Sequence, residues 1–448
     1  SSFSSQGYAS MRLFLRTTRR TARCRRELVS WRRSFMDCGS ASLFDATGLG
    51  RLGSSQPAAV LALRRHFLQH AEYYVRHQGP SWLEALAAGP RPPQDAAGVG
   101  ALASAGLEIL SKPLQANGGA DGGRLLLELP SRSRVEVAII VAARRRAPGG
   151  AATICVSSQA GCAMACRFCD TGRLRSAAAG SGGLSIPAWA ILEQVLHGQA
   201  FLQQHQLGKA RRTSGPTNVV FMGMGEPLLN YREVLVASEA LCDIGLGGGS
   251  VMLSTVGVTP RILALAREAP PGLRLALSLH APNQALREAL LPKAARAWPL
   301  PELVRAIGAY EEATGKGVLL EYILIRGLND EMEHADELAA LLGSTGVGKA
   351  GVNLIPYNPT GAGAASGYTS PSDVRCKAFR ARLRGAGVAN VTVRFSTKLG
   401  RGLASACGQL GVAAAAAVSS NSRGLVADAS LPWHAPSNAS YHESRAKK

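Results

Sequence analysis

Aromatic residues make up only 5% of the 448-residue chain, and 30 acids stand against 50 lysines and arginines. The shortage of acid leaves a formal charge of +20, which argues for a polyanionic partner and against an acidic scaffold. No apolar run approaches the roughly 18 residues of a membrane-spanning helix. The longest candidate is the short stretch from Val135 to Ala143, so a soluble protein with no membrane partner is expected. A disulfide framework is also excluded. The nine cysteines are an odd number, and four of them crowd into the segment from Cys155 to Cys169. Such usage points to metal or redox chemistry in a reducing compartment.

The apolar fraction of 46% is enough to bury real cores, and the length suggests two or three units at roughly 150 residues each. The ends differ in character from the middle. Residues 1–35 hold nine arginines, no lysine and the single acid Glu27, a charge of 9 − 1 = +8. Arg-rich, Ser-rich and acid-poor composition reads residues 1–38 as a leader that targets a chloroplast or mitochondrion, with a basic nucleic-acid arm and a cytoplasmic protein as the competing reading. Residues 40–130 are read as a small, mostly helical accessory domain, 131–410 as the core, and the Ala- and Ser-rich stretch 411–448 as a disordered tail.

Within the core, strand-like runs alternate with amphipathic segments, the pattern of an α/β fold built from βα units on a parallel sheet. Strands are predicted at Thr153 to Ser157, Asn218 to Met222, Val251 to Ser254, Leu273 to Ser278, Val318 to Ile325 and Gly351 to Ile355, with a further one at Val391 to Phe395. Between them lie Ile191, Leu192, Val195 and Leu196 at helical spacing, Asn230 with Glu233 resembling a capping box, and Thr259 before Pro260. Polar and glycine-rich oddities follow the strands and do not scatter. The cysteine cluster, Gly223 to Pro227, Ser254, Ser278 to His280 and Asn358 each sit after one, on the face where parallel barrels carry their sites.

Cys162, Cys166 and Cys169 are spaced C-x3-C-x2-C, with no fourth Cys or His at the usual structural-zinc spacing. Closed zinc sites want four ligands. Three thiolates suit a 4Fe-4S cluster with one iron left open, against the alternatives of a zinc site completed from afar or an incidental cysteine-rich loop.

With the aromatic Phe168 before the third cysteine, this loop resembles the signature of the radical S-adenosylmethionine (SAM) enzymes. Cys155 to Cys162, Gly223 to Pro227, Ser278 to Asn283, Asn353 to Pro359 and Ala406 to Leu410 look, in order, like the motifs of the RlmN/Cfr family of rRNA adenine methyltransferases. The resemblance implies a partial (β/α)6 TIM-like barrel with a small helical N-terminal domain. It also implies SAM and a 4Fe-4S cluster as cofactors, the cluster held by Cys162, Cys166 and Cys169.

By the same resemblance, Gly225, Glu226, Ser254, Ser278, Leu279, His280 and Asn358 match the SAM contacts. Cys407 matches the cysteine that carries the methyl group to the base, Cys155 the cysteine that removes the ring proton and attacks the bridging sulfur for release, and Glu136 a family general base. Cys24, Cys38, Cys242 and Cys376 match nothing. The segment before Cys407, from Lys398 onward, departs from the acidic stretch many members carry there.

The expected reaction is methylation of adenine C2 in large-subunit rRNA, and of tRNA besides, with C8 methylation as the rival and a non-catalytic RNA-binding protein as the alternative of another class. An electron donor such as flavodoxin or ferredoxin is implied as a partner, and a monomer is expected. Outside the leader the charge is 20 − 8 = +12, which fits RNA, with Arg144 to Arg146, Arg211 with Arg212, and the Arg375 to Arg384 group as candidate contacts.

Overall fold

The alternating apolar runs of the core assemble into one sheet in the computed structural model. The structure describes residues 110–119, 122–142, 151–176, 183–205, 218–246, 251–395 and 406–411, with short pieces at 41–42, 107–108 and 425–427. Ten strands pair in chain order: β1 (Lys112–Gly119), β2 (Gly122–Glu128), β3 (Arg134–Ala142), β4 (Ala151–Cys155), β5 (Asn218–Phe221), β6 (Val251–Thr255), β7 (Leu273–Ser278), β8 (Leu319–Leu324), β9 (Gly351–Pro356) and β10 (Val391–Val393). From β4 to β10 every neighbouring pair is parallel. These are the seven predicted strands, with ends moved by one or two residues.

Helices fill the crossovers, as parallel pairing requires. α1 (Ala188–Gln204) follows β4, α2 (Tyr231–Leu241) follows β5 and α3 (Thr259–Glu268) follows β6. After β7 come α4 (Gln284–Leu290), α5 (Pro292–Ala297) and α6 (Leu300–Thr314); α7 (Met332–Thr345) follows β8, and α8 (Gly361–Ala365) and α9 (Asp373–Gly385) follow β9. Strand order equal to chain order is the arrangement of an α/β barrel wound in one direction, here left partial because both edges are open.

The period of two along each strand decides what the sheet presents. Leu125, Val137, Ile154, Val219, Leu253, Leu275, Leu320, Leu354 and Val391 all join the large core with the helices. Their immediate neighbours in the chain turn the other way. On that inner face Leu126, Ala138, Cys155 and Met224 form a small cluster with Leu174 and Leu410, and a third cluster places Phe168 and the cysteine loop against Leu286, Leu290, Ile323 and Tyr357.

Three expectations are corrected. Lys112–Gly119 and Gly122–Glu128, placed by the sequence in a helical accessory segment, are antiparallel strands that extend the core sheet through β3, so the sheet starts before residue 131. Much of residues 40–130 lies outside the described residues, as do the leader, most of the tail, Arg144 to Arg146, Arg211 with Arg212, and Lys398. Asn230 and Glu233 form no capping box. Asn230 Nδ2 instead donates to Ser158 O (2.8 Å) and Ile186 O (2.7 Å), while Glu233 accepts from Ala188 N (2.8 Å), so both side chains tie α2 to the loop after β4. In the Arg375 to Arg384 group, Arg375 pairs with Glu331 and Arg382 with Asp336 at 2.6 and 2.9 Å, so two of its arginines fasten α9 to α7. No helix among the described residues is long and apolar enough to cross a membrane.

Candidate active site

The loop after β4 carries Cys162, Cys166 and Cys169, and contacts from distant parts of the chain hold it in place. Arg167 N donates to Leu290 O (3.1 Å), Lys293 Nζ to Ala163 O (2.9 Å) and Thr360 Oγ1 to Phe168 O (3.1 Å). The Cys407 segment lies directly on this loop, because Asp170 N donates to Gly408 O (2.8 Å) and Thr171 Oγ1 to Leu410 O (2.7 Å). One cavity then gathers the three cysteines, Gly225, Glu226, Ser254, Ser278, His280, Glu321 and Cys407 on its wall.

Gly225 is the close-approach position. Its φ is 102°, and a Cβ there would meet the Gln159 backbone nitrogen at 2.8 Å, so only glycine lets the β4 and β5 loops lie so near. Glu226 follows it, 2% exposed. Its carboxylate accepts from Leu228 N (3.0 Å), Thr255 Oγ1 (2.7 Å) and Val256 N (2.9 Å). Three of about four lone-pair directions are thereby used, and one remains for a cationic ligand group. Burial pushes its pKa up to about 6 despite these donors.

His280 has φ 59° and is buried, with its ring edge-on to Phe168 at 5.0 Å. Ile323 N donates to Nδ1 (3.0 Å), which places the ring proton on Nε2. Burial, reinforced by the nearby charge of Arg287, holds its pKa down at about 3, so the ring stays neutral. Ser254 and Ser278 are 3.4 Å apart by their hydroxyl oxygens. Leu279 turns its side chain into the helix-facing core and contributes only backbone here. Asn358 is buried, and its Nδ2 lacks a partner among the described residues.

The donor set fits the implied cofactors. Burial raises all three cysteine thiols, Cys162 to about 12, and the charges of Cys162 and Cys169 add to the effect at Cys166. Three such thiols side by side become thiolates only when a cationic centre neutralises them. Among the described residues no three Cys, His, Asp or Glu side chains converge on a single-ion site. Three thiols on one wall, whose other lining residues include no Cys or His except Cys407 and His280, suit a cluster with one iron left open better than a closed four-ligand zinc site. Glu226, with one lone-pair direction free, offers an acceptor to the ammonium of a zwitterionic ligand on this wall, whereas Asn358 and Leu279, expected at the same site, do not line the cavity.

Cys155 and Glu136 stand behind this wall and not on it. Cys155 is buried among Leu126, Ala138, Met224 and Leu410, and both it and Cys407 are free thiols. Burial first, and then the neighbouring charge of Cys407, pushes Cys155 up to about 12, so the two sulfurs are close enough to feel one another. Glu136 shares the inner face of β3 with Ala138, the register partner of Cys155, and sits 3.7 Å from Arg124. Cys376 is a core residue of α9 and Cys242 packs partly against the same core, while Cys24 and Cys38 lie outside the described residues.

Sequence reasoning missed Glu321, Asn353 and Arg394 on the inner face and Arg287 under the cysteine loop. For Glu321 a signal existed. A lone charge within an apolar strand, as in Val318 to Ile325, is forced by parity to one face, and only a polar interior tolerates it.

Comparison with known proteins agrees with this geometry. Residues 156–339 match the Radical SAM superfamily. The chain is 45% identical over 268 residues to a dual-specificity RNA methyltransferase RlmN of Frankia casuarinae, which covers 58% of each protein. It is 42% identical over 288 residues to the RlmN of Thermosynechococcus vestitus, covering 64% of this chain and 76% of that one. The first relatives are spanned over only 58%, 65% and 58% of their lengths. A crystal structure of a radical SAM methyltransferase from Sphaerobacter thermophilus superposes with a TM-score of 0.64 at 31% identity, covering 84% of this chain and 98% of that one. The chain belongs to the RlmN family of the radical SAM superfamily, whose cofactors are a 4Fe-4S cluster and S-adenosylmethionine.

Proposed function

We propose that this protein is an RNA methyltransferase that adds a methyl group to C2 of an adenine in large-subunit rRNA, and acts on tRNA as well. The observation that carries the reading is the meeting of Cys407 with the three loop cysteines and Glu226 on one cavity wall, with Cys155 directly behind. The relatives' printed name, dual-specificity RNA methyltransferase, supports an RNA substrate. The cluster and SAM supply the methyl group and the one-electron chemistry that a ring carbon without nucleophilicity requires.

The chain's own residues divide the remaining work. Cys162, Cys166 and Cys169 bind the cluster. The Glu226 carboxylate would take the SAM ammonium beside Gly225, Ser254, Ser278 and His280 would offer hydroxyl and Nε2–H groups to its polar edges, and Leu279 and Asn358 would act from behind the wall. Cys407 carries the methyl carbon to the base. Cys155 attacks the Cys407 sulfur to release the product, with thiol exchange as the model for that step. Its proton passes to Glu136, on the same inner face. An external electron donor of the flavodoxin or ferredoxin kind would supply the electron that the cluster's chemistry needs.

The test is anaerobic reconstitution with iron, sulfide and SAM, followed by mass mapping of large-subunit rRNA and tRNA fragments. A new methyl group at adenine C2 supports the reading. Methylation at C8 would replace it, and a reconstituted protein that cleaves no SAM would sink it.

A further inference from the structure

Glu321 is a buried carboxylate on the cavity wall with no role in the reading above. In β8 the side chains of Leu320, Tyr322 and Leu324 join the helix-facing core, so parity turns Glu321 inward, where it is 3% exposed beside Cys407. The register sets it in a polar row across four strands: Ser278 on β7, Glu321 on β8, Asn353 on β9 and Thr392 on β10. Thr392 Oγ1 donates to Asn353 Oδ1 (3.0 Å), which fixes the amide so that Asn353 Nδ2 donates to Glu321 Oε2 (2.8 Å). The row orients the carboxylate without saturating it.

The charged and titratable groups acting on it are few. Arg394, beyond the end of β10, lowers its pKa, and the Cys407 thiol senses its charge. His280 touches it through the backbone, by N–H to Glu321 O at 3.3 Å, with a ring that stays neutral. A carboxylate kept only for structure would be paired or fully hydrogen-bonded at this depth. Burial pushes Glu321 up to about 7, where acid and carboxylate forms coexist at neutral pH.

We propose that Glu321 is the acid that protonates the methylene carbon as it leaves the Cys407 sulfur. The inference rests on the methyl-carrier role proposed for Cys407. Release starts from an adduct whose ring carbon has already given its own proton to Cys155, which passes it to Glu136, so that the ring is aromatic again. The Cys155 thiolate then forms an S–S bond to Cys407 and the S–CH2 bond breaks. The bonding pair moves to the methylene carbon, conjugated with the purine ring, and that carbon needs one proton to become the methyl group. Glu321 supplies it and is left as the carboxylate, to be reprotonated from water. The two cysteines are oxidised by two electrons, the carbon is reduced by two, and a cellular thiol later reduces the disulfide. Glu321 and Glu136 thus take opposite parts, one giving a proton and one receiving it, as carboxylates in unlike surroundings do.

The experiment uses the full reconstituted chain with RNA and follows the covalent protein–RNA species on denaturing gels. Cys155→Ala serves as the reference trap. Glu321→Gln is expected to form the adduct at the wild-type rate and release it about 100-fold more slowly, the size of a general-acid contribution. Glu321→Asp restores part of the release. Wild-type release should fall as pH rises through about 7, whereas the Gln variant shows no such titration. Wild-type release by Glu321→Gln overturns the proposal, and so does a Gln variant that keeps its cluster absorbance and binds SAM yet forms no adduct. If Cys155→Ala traps nothing either, the methyl-carrier reading has failed and the proposal falls with it; if Cys155→Ala traps and Glu321→Gln does not, only the role of Glu321 is lost.

Discussion

Along five neighbouring strands the helix-facing positions are Val219, Leu253, Leu275, Leu320 and Val352, all in the large core. One residue farther along each strand the inner face carries Val220, Ser254, Ala276, Glu321 and Asn353. The backbone and the register are the same for both sets. What differs is the partner: packed helices on one side, a cavity closed by the cysteine loop and the Cys407 segment on the other. The outer face gains stability from each buried side chain, while the inner face holds groups whose burial is unfavourable until a ligand answers them. Substitutions on the two faces should therefore move different observables.

The largest separation is expected at the cysteine loop. Cys166→Ala removes one of the three ligands proposed for the cluster, so iron content, visible cluster absorbance and methyl transfer should all drop to background. The melting temperature of the metal-free chain should stay unchanged, because the half-buried thiol makes no hydrogen bond the fold depends on. Phe379→Ala is the converse. Its ring is fully buried in α9, packed 5.6 Å from Tyr322, and truncation should cost about 3–5 kcal/mol in denaturant unfolding. The protein that remains folded should still bind a full cluster. An equal loss of cluster in both variants would break the comparison.

The same two-faced logic explains what the sequence makes legible. Parallel strands announce themselves through runs such as Leu273 to Ser278, where alternation and a terminal hydroxyl coincide, and the spacing of Cys162, Cys166 and Cys169, with Phe168 between the last two, singles out the loop as a metal or cluster site. Glu321 was hidden by its setting, since Val318 to Ile325 reads as a doubly buried strand in which one acid looks incidental. Its meaning depends on which strand lies beside it: Asn353 is 32 residues further along the chain, and Thr392 another 39 beyond Asn353. The strands Lys112–Gly119 and Gly122–Glu128 are obscured by flanking glycine and alanine, because their order comes from pairing with each other and of the second with β3, not from local propensity. Asn230 and Glu233 had the right residues for a capping box and were recruited by the neighbouring loop, a tertiary override that local spacing does not reveal.

Acidity offers a finer cut between the faces. Glu226 and Glu321 have ordinary values of 4.5, raised by burial to about 6 and about 7. A raised carboxylate means that the folded state binds its proton more tightly. Their contribution to stability is therefore fully present below pH 4.5 and is lost as pH rises through 6 and 7. Between pH 5 and 7.5 the metal-free protein should lose about 3–4 kcal/mol relative to a Glu226→Gln, Glu321→Gln double variant, measured by urea unfolding at each pH. Saturating SAM, by answering Glu226 with a cation, should reduce that difference. A double variant that follows the wild-type pH profile would remove these carboxylates as its source.

The smallest effect tests whether burial, and not membership of a particular helix, decides the outcome. Val374 lies on α9 with Phe379, five positions before it, yet is 76% exposed where Phe379 is fully buried. The helix start does not depend on it, since Ser372 accepts from Arg375 N (3.2 Å) as the cap. Val374→Ser removes little apolar area from a buried environment and leaves the cap intact, so unfolding should shift by no more than about 0.5 kcal/mol. Cluster content and methyl transfer should be those of the wild type. A loss approaching that of Phe379→Ala would mean that this exposed side of α9 is covered in the working protein, and the outer face would then have a second partner besides its own helices.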